Sequence, residues 1–412
     1  MIERSFFGVC THLTKIPQAH AIRQIGQIRD AGFGSLRVGF LWDQLEPEPG
    51  VFRWEIMDPL IRAAGDSGIR ILGTIARTPS WLSNAADGGR CRFYPPREPE
   101  PFAAFCAGLA KRYPETVEAW EIWNEPDLKS YWHPKPDHAH YISILRAAYN
   151  AIKTAVPSAT VMNGGIACCR EHRINFDYLE ALFRSGLSSC TDVLNVHPYS
   201  GPNMPETLFD VEIDRLLSLA AQYRASGLPV WFSEIGTPVH PRFALNEAEQ
   251  AAHITRHCLC ALRRPEIQRL FWYDFHDDGT DPDYFEHHFG LTRHDDSPKP
   301  SYHAAKSLIP AVAGGTFHKL VRHAQGPQAA IFRNRENSIF FLWDNARNSW
   351  LLKDVDFEFR EWSNTGTPLP LFRKERTADL TIGPEPVRLE VAAADEPSLL
   401  RSFLSSSTLI GI

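Results

Sequence analysis

Short apolar segments alternate with helix-length segments from residue 6 to about residue 315, and this alternation limits the possible folds of the chain. Parallel strands need helical crossovers, so repeated strand–helix units predict a parallel sheet. Eight such units predict a (β/α)8 barrel, with an open doubly wound sheet as the alternative. The predicted strands are 6–10, 35–39, 70–75, 117–123, 160–163, 193–197, 229–233 and 270–275. The predicted helices are 19–31, 57–66, 102–113, 138–155, 212–225, 247–263 and 302–309.

The pattern changes after Ala313-Gly314-Gly315. Residues 338–343, 355–360 and 387–391 are short and strand-like, the second with strict alternation, and turn-forming residues separate them. We therefore predict a barrel domain over residues 1–315 and a small all-β, sandwich-like domain over residues 316–412.

Composition excludes several functional classes. The 412 residues carry a net charge of −6, which argues against broad electrostatic binding to nucleic acid or anionic lipid. No apolar run approaches the ~20 residues of a membrane helix. The N-terminal residues lack the basic and apolar regions of a signal peptide, which predicts a cytoplasmic protein. The eight cysteines lack paired metal-site spacing and are interpreted as buried free thiols. Oligomeric state stays open.

Polar and aromatic residues follow the predicted strands, which in a barrel marks the catalytic face. Glu125 follows the fourth strand, and Glu234 follows the seventh. Two carboxyl groups presented in this way suit acid/base cleavage of a glycosidic bond. Either glutamate alone is more simply interpreted as a solvated loop residue.

Several motifs together resemble clan A of the glycoside hydrolases, and within it glycoside hydrolase family 39. They are Trp123-Asn124-Glu125-Pro126, Trp231-Phe232-Ser233-Glu234-Ile235-Gly236, Arg37-Val38-Gly39, Asn195-Val196-His197-Pro198-Tyr199 and Phe289-Gly290-Leu291. The resemblance covers roughly residues 6 to 310, and the motifs occur in barrel order.

The resemblance implies a retaining double-displacement mechanism, with Glu125 as acid/base and Glu234 as nucleophile. It implies that Asn124 binds the 2-hydroxyl of the sugar and that Arg37 keeps Glu234 ionised. The remaining implied contacts are orientation of Glu234 or the sugar by His197 and Tyr199, and an aromatic pocket floor from Trp272.

Other candidate residues are less specific. Trp42, Trp81, Trp132 and Trp231 are interpreted as either sugar platforms or core. His12 is a weaker candidate for substrate binding. The acidic loop from His276 to His288 contains possible metal ligands, but it is better interpreted as a rim at which His276 or Asp277 contacts sugar hydroxyls. No metal or cofactor is predicted.

The leading functional hypothesis is therefore a retaining hydrolase of O-glycosidic bonds, either exo-acting on a β-xyloside, β-glycoside or arabinoside or endo-acting on an exopolysaccharide. Its partner is an oligosaccharide, polysaccharide or glycoside. A transglycosylase and a catalytically weak carbohydrate-binding protein are alternatives. A metal-dependent barrel hydrolase is disfavoured because Cys10-Thr11-His12 lacks the His-x-His expected at the first strand.

Overall fold

The computed structural model describes the whole chain except residues 84, 86–90, 169–172, 208, 325, 371, 375 and 409–412. Eight parallel strands form one sheet in the order β5-β4-β3-β2-β1-β8-β7-β6. A parallel bridge between Met162 and Val193 joins the two edge strands and closes the barrel. The strands are β1 Phe7–Thr11, β2 Ser35–Leu41, β3 Arg70–Ala76, β4 Val117–Ile122, β5 Thr160–Asn163, β6 Leu194–Val196, β7 Val230–Ile235 and β8 Ile267–Trp272.

The barrel interior is filled by side chains from most of its strands. One buried cluster includes Cys10, Leu72, Ala119, Trp231 and Phe271. Alternate residues of a strand point to opposite faces, so the residues between these positions face the surrounding helices. Layers of this kind make a barrel a packed core whose functional groups emerge at the ends of the strands.

Helices cover the outside of the barrel and bury their apolar faces against it. Asn246 begins one of them with a capping box, in which Glu249 completes the reciprocal hydrogen bonds. These helices are α1 Gln18–Asp30, α2 Trp42–Leu45, α3 Asp58–Asp66, α4 Pro99–Arg112, α5 His138–Ala155, α6 Phe176–Arg184, α7 Phe209–Gln222, α8 Glu247–Leu262 and α9 Pro300–Val312. A further helix, α10 Glu396–Leu404, instead packs Leu399 and Phe403 against the antiparallel sheets that follow the barrel.

Two antiparallel sheets follow the barrel, in the orders β13-β16-β11-β10-β9 and β14-β15-β12-β17. Their strands are β9 Thr316–Arg322, β10 Gln328–Arg333, β11 Asn337–Trp343, β12 Asn348–Leu352, β13 Phe359–Trp362, β14 Phe372–Lys374, β15 Thr377–Ile382, β16 Val387–Ala392 and β17 Ser407–Thr408. Phe341 and Trp343 on one face of β11 join the barrel's hydrophobic core. Phe340 and Leu342 on the other face pack in a core shared with the second sheet.

The predicted fold class is confirmed, with differences in individual elements, among them helix α10 within the part predicted to be all-β. Strand β8 begins at Ile267, three residues before the prediction, because Ile267 pairs with Val230 of β7. Helix α6 was not predicted, although Asn175 caps it and its apolar residues have helical spacing. Residues 355–360 alternate in burial as expected, but only Phe359 onward pairs as a strand. The division into catalytic and accessory domains stays a prediction.

Two further features bear on the expectations from the sequence. Within the described ranges, no helix combines the length and the apolar character required to cross a bilayer. The described cysteines are free thiols; Cys91 and Cys168 are half-buried rather than buried, and Cys169 lies outside the described residues.

Candidate active site

Glu125 and Glu234 meet at the mouth of the barrel. Glu234 lies in β7, and Glu125 follows the end of β4 in a left-handed backbone conformation with φ of 44°. Both side chains are buried, with 8% and 9% of the residue surface exposed. A carboxylate oxygen of one lies within 4.8 Å of a carboxylate oxygen of the other. The two predicted strand-end glutamates are therefore brought together.

Arg37 of β2 connects the two strand ends. Its guanidinium donates to Oε1 of Glu234 and, over 2.6 Å, to Oδ1 of Asn124. Because the Asn124 oxygen accepts from Arg37, the assigned amide orientation leaves its NH₂ group for a ligand. The buried arginine thus attracts the Glu234 carboxylate by its charge and fixes the orientation of the Asn124 amide.

His197 and Tyr199 follow β6 and reach the same two glutamates. Nδ1 of His197 lies 2.9 Å from Oε1 of Glu125, and its Nε2 lies 2.8 Å from Oγ of Ser233. The Tyr199 hydroxyl donates to Oε2 of Glu234 over 2.9 Å. Both residues lie where the sequence motif suggested.

A third glutamate, Glu121 of β4, lies below the pair and was missed in the sequence. It is fully buried and accepts hydrogen bonds from Nε of Arg37 over 2.6 Å and from Oγ of Ser233 over 2.9 Å. Its other donors are Thr74 Oγ1, Asn195 Nδ2 and the backbone N–H of Gly165. The available signal was a charged residue near the C-terminal end of a mostly apolar strand, four residues before Glu125.

The surroundings shift the pKa values of the two strand-end glutamates in opposite directions. Burial, reinforced by the charge of Glu234 and opposed by His197, raises the pKa of Glu125. Burial also disfavours the charged form of Glu234, but His197, Arg37 and the Tyr199 hydroxyl lower its pKa overall. Glu125 is therefore biased toward the protonated form and Glu234 toward the ionised form.

Charges within the site then balance. Burial lowers the pKa of His197, but Glu234, Glu121 and Glu125 outweigh burial and raise it to about 10. The pKa of Glu121 is lowered because Arg37 and His197 outweigh its burial. Two cations, Arg37 and His197, thus face the carboxylates of Glu121 and Glu234, and the raised pKa of Glu125 biases it toward its neutral form.

A cavity of about 910 Å³ opens above these residues. Its lining includes Glu125, Glu234, Asn124, Arg37 and Tyr199. Aromatic rings of Tyr273 and Phe289, with centroids 5.1 Å apart, lie beside Tyr199. An aromatic wall next to a carboxylate can pack against the C–H face of a sugar and exclude water.

The predicted pocket floor was assigned to the wrong aromatic residue. Trp272 is fully buried and packs edge-on against His257 of α8, with ring centroids 5.8 Å apart. Phe271 points into the barrel interior, so Trp272 faces outward and Tyr273 returns to the inside. Tyr273, rather than Trp272, therefore lines the cavity.

Trp42 and Trp81 also lie outside the cavity lining. Trp42 is buried, stacks on Phe105 and donates from Nε1 to Glu46 over 2.7 Å. Trp81 is exposed, and its Nε1 donates to the backbone oxygen of Glu46. These two indoles stabilise the segment after β2. Trp132 and Trp231 are buried core residues.

Of the two candidate histidines, His12 and His276, only His12 belongs to the cavity lining. His12 lines the cavity, and its Nδ1 lies 2.8 Å from Oδ1 of Asp278. His276 lies away from the lining and faces Asp296, with Nε2 3.2 Å from Oδ1. The prediction that His276 contacts sugar at the rim is therefore wrong, because its ring turns toward α1 and packs against His20.

Three groups of histidine and carboxylate side chains bring possible metal ligands together in the described part of the chain. They are His20 with His276 and Asp296, His12 with Asp274 and Asp278, and Glu125 with His197 and Glu234. Each contains a close histidine–carboxylate hydrogen bond of 2.8 or 2.9 Å. Those hydrogen bonds account for the clustering, and we assign no metal to these groups.

Solved structures share this architecture. A family 39 glycoside hydrolase from the gut symbiont Bacteroides cellulosilyticus WH2 superposes with a TM-score of 0.78 and 26% sequence identity, covering 95% of this chain and 81% of that one. A GH39 enzyme from Xanthomonas axonopodis pv. citri superposes with a TM-score of 0.66 at 14% identity, covering 95% and 94% of the two chains. The second likeness concerns the fold alone. The expected resemblance to family 39 is confirmed.

Sequence comparison adds a relative and a family. Beta-galactosidase BgaA from a Thermus species is 37% identical over 78 residues, which are 18% of this chain and 12% of the relative. The chain thus matches only a small part of that relative's length. The family model for cellulase, glycosyl hydrolase family 5, matches residues 3–273. Since this match spans more than half of the sequence, the chain belongs to the cellulase family, glycosyl hydrolase family 5, in clan A of the glycoside hydrolases.

Proposed function

We propose that the protein hydrolyses O-glycosidic bonds with retention of anomeric configuration, with Glu125 as acid/base and Glu234 as nucleophile. The observation that carries this proposal is the close approach of their carboxylate oxygens, within 4.8 Å. Inverting enzymes leave room for water between carboxyl groups about 6.5–9.5 Å apart, whereas retaining enzymes keep them about 5–5.5 Å apart. The opposed pKa directions of the two glutamates support the same roles.

In the first step, an ionised oxygen of Glu234 attacks the anomeric carbon, and the bond to the leaving oxygen breaks. Glu125 gives its proton to that oxygen, so the leaving group departs as an alcohol. Oε1 of Glu125 accepts from His197, which leaves the other oxygen to carry the proton toward the substrate. The product is a glycosyl ester of Glu234.

In the second step, Glu125 takes a proton from water, and the water oxygen attacks the anomeric carbon. The ester bond breaks, Glu234 regains its charge, and the sugar leaves with its original configuration. Esterification removes the charge of Glu234 that raises the pKa of Glu125. The same residue thereby serves as acid first and as base second.

Neighbouring groups support the transition state. The Asn124 amide is oriented by Arg37 for a sugar hydroxyl, a contact that strengthens as positive charge develops on the ring. Tyr199 and Arg37 both hydrogen-bond to Glu234 and keep its attacking group oriented. Tyr273 supplies the apolar surface for the sugar face.

The first experiment is a screen of nitrophenyl β-glycosides and polysaccharides. β-Galactosides are included because of the short match to a Thermus beta-galactosidase, and β-xylosides, β-glucosides and arabinosides because of the exo-acting hypothesis. We expect Glu234→Gln to lose roughly 10³-fold or more in kcat. Glu125→Gln should lose about 10²–10⁴-fold, and most on substrates with poor leaving groups. Glu118→Gln is the matched control, on the same strand but outside the cavity lining.

Azide distinguishes the two roles. Added to Glu234→Gly with a β-substrate, azide should restore bond cleavage and give the α-glycosyl azide. Full turnover by Glu125→Gln or Glu234→Gln, or inversion by the wild type, would refute the assignment. A sugar acceptor added to the wild type tests the alternative of transglycosylation. If the enzyme transfers the sugar to this acceptor more than to water, transglycosylation rather than hydrolysis is its reaction.

A further inference from the structure

One part of the cavity lining comes from the segment that follows Glu125. Leu128, Ser130 and Tyr131 come from this segment, and all three belong to the cavity lining. Phe93 packs edge-on against Tyr131, with ring centroids 6.2 Å apart. Arg77, the residue after β3, completes this wall.

Arg77 adopts an unfavourable backbone conformation there. Its φ is 71°, a left-handed value that residues with a Cβ rarely adopt. Left-handed conformations of this kind persist where surrounding structure holds them, often at ligand sites. Trp123 and Glu125, which follow the neighbouring strand β4 and also line the cavity, have positive φ values too. Residues with left-handed backbone conformations thus follow both β3 and β4, and they line one cavity.

The half-buried guanidinium of Arg77 has no hydrogen-bond partner among the described residues. Its side chain is 21% exposed, and Nη1 lies 3.7 Å from Oδ2 of Asp43, too far for a hydrogen bond. Within the described residues it donates no hydrogen bond, and the buried Oδ1 of Asp43 accepts none. Arg37 in the same cavity makes three hydrogen bonds through its guanidinium. The contrast leaves Arg77 as a charged donor group open to the cavity.

The side of the cavity follows from the chemistry of the glutamates. A proton donor must lie beside the leaving oxygen, and the backbone oxygen of Glu125 accepts from Leu128 N–H, in the segment that leads to Tyr131. Tyr131 contacts Phe93, and Arg77 lies over the Phe93 ring. The other wall, with Tyr199 and Tyr273, adjoins Glu234 and the sugar that becomes esterified. A substituent beyond the cleaved bond therefore extends toward Arg77.

We propose that Arg77 is the donor of a subsite for a second sugar on the leaving side, bound through two neighbouring hydroxyl groups. This inference rests on the proposed function. A planar guanidinium presents parallel N–H groups that can meet two hydroxyl oxygens at once. Asp43 anchors the guanidinium by charge, and Phe93 and Tyr131 shield the contact from water. The substrate is accordingly a disaccharide or longer chain rather than a simple alkyl glycoside.

The test compares two substrates that share the sugar on the nucleophile side. The pairs are xylobiose with nitrophenyl β-xyloside, cellobiose with nitrophenyl β-glucoside, and lactose with nitrophenyl β-galactoside. For whichever pair the wild type hydrolyses, we measure the ratio of kcat/KM for the disaccharide to kcat/KM for the nitrophenyl glycoside. Arg77→Ala should lower this ratio about 10- to 100-fold, since charged hydrogen bonds to the second sugar are lost.

Two further variants sharpen the test. Arg77→Lys retains the charge but lacks parallel donors, so its ratio should also fall, and it guards against disruption by the smaller side chain. Arg92→Ala is the matched control: Arg92 lies 5.3 Å from the centroid of the Phe93 ring but outside the cavity lining. It should leave the ratio unchanged.

An unchanged ratio in both Arg77 variants would overturn the subsite while leaving the hydrolase proposal intact. An equal fall in Arg92→Ala would also overturn it, because a general charge effect would then explain the result. Failure of the proposed function has a different signature, namely full turnover by the Glu125 or Glu234 variants.

Discussion

Glu125 and Glu234 carry the same carboxyl group, and their neighbours give it opposite protonation preferences. Both are buried, but at Glu234 the effects of His197, Arg37 and the Tyr199 hydroxyl outweigh burial. At Glu125, burial and the charge of Glu234 outweigh the contact with His197. Retaining chemistry needs an ionised nucleophile and a protonated acid in the resting enzyme. The difference between the two residues is therefore a property of their surroundings.

The pH profile should respond to Tyr199. kcat/KM rises with pH as Glu234 ionises and falls as Glu125 loses its proton, which predicts a bell-shaped profile. The Tyr199 hydroxyl helps to lower the pKa of Glu234, so Tyr199→Phe should move the acidic limb upward by about 1 unit. Tyr149→Phe, whose hydroxyl contacts Asp192 on the outside of the barrel, is the control. An acidic limb that stays in place would contradict the assignment of that limb to Glu234.

Glu121 should matter for stability as well as for catalysis. Its carboxylate is fully buried, and its partners all donate hydrogen bonds to it. The amide of Glu121→Gln would direct N–H groups at donors and leave Nε of Arg37 without its charged partner. We expect the free energy of unfolding in urea to fall by about 3–5 kcal/mol. Glu118→Gln, half-buried and 3.4 Å from Arg269, should change it far less.

At the scale of elements, each group of the site comes from the end of a different strand. β2 contributes Arg37, β4 leads to Glu125, β6 leads to His197, and β7 contributes Glu234. Parallel strands all end at the same face of the barrel, so residues distant in sequence meet there. The connecting segments then decide which side chains can approach closely.

The segment after β5 illustrates this control. A Cβ on Gly165 would lie 1.9 Å from Nε2 of His197, so Gly165→Ala should displace the imidazole from Glu125 and Ser233. We expect kcat to fall by about 10²-fold, the cost of a misplaced catalytic group, while circular dichroism stays that of a folded protein. Gly26→Ala in α1, where a Cβ would meet nothing within 4 Å, should retain activity. Equal activity of the two variants would argue against the positioning of His197.

At the scale of the whole molecule, the barrel and the antiparallel sheets share a core. Phe332, Ile339 and Phe341 pack in the same hydrophobic cluster as barrel residues. Polar contacts reinforce this packing: Asn364 donates to the backbone of Ala251 in α8 over 2.9 Å. We therefore expect the two parts to unfold together.

Arg256 tests this connection. It is buried in α8 and donates to both carboxylate oxygens of Glu206 and to Asn345 in the turn between β11 and β12, each over 2.9 Å. Arg256→Ala leaves Glu206 without its cation, so the free energy of unfolding should fall by about 3–5 kcal/mol. Arg347→Ala, an exposed partner of Glu385, is the control and should cost about 1 kcal/mol or less. Urea unfolding measures both losses. Similar losses in the two variants would contradict a stabilising role of the interface between the barrel and the antiparallel sheets.

The amino-acid sequence by itself determined the barrel and the two strand-end glutamates. Strand–helix alternation is a local pattern, and polar residues at the ends of apolar segments identify the catalytic face. The sequence also indicated Arg37, His197 and Tyr199. These residues contact Glu125 or Glu234 because all five lie at the same face of the barrel.

Only the tertiary structure decided which adjacent residue faces the cavity and which charges lie below it. Trp272 and Tyr273 differ by one position, and strand pairing turned one outward to His257 and the other inward. The role of Glu121 likewise depends on hydrogen-bond partners from other strands. The proposed role of Arg77 depends on the lack of such a partner among the described residues. The physical reason is that side chains alternate every residue along a strand, so pairing register decides direction, and the pKa of a buried group depends on charges distant in sequence.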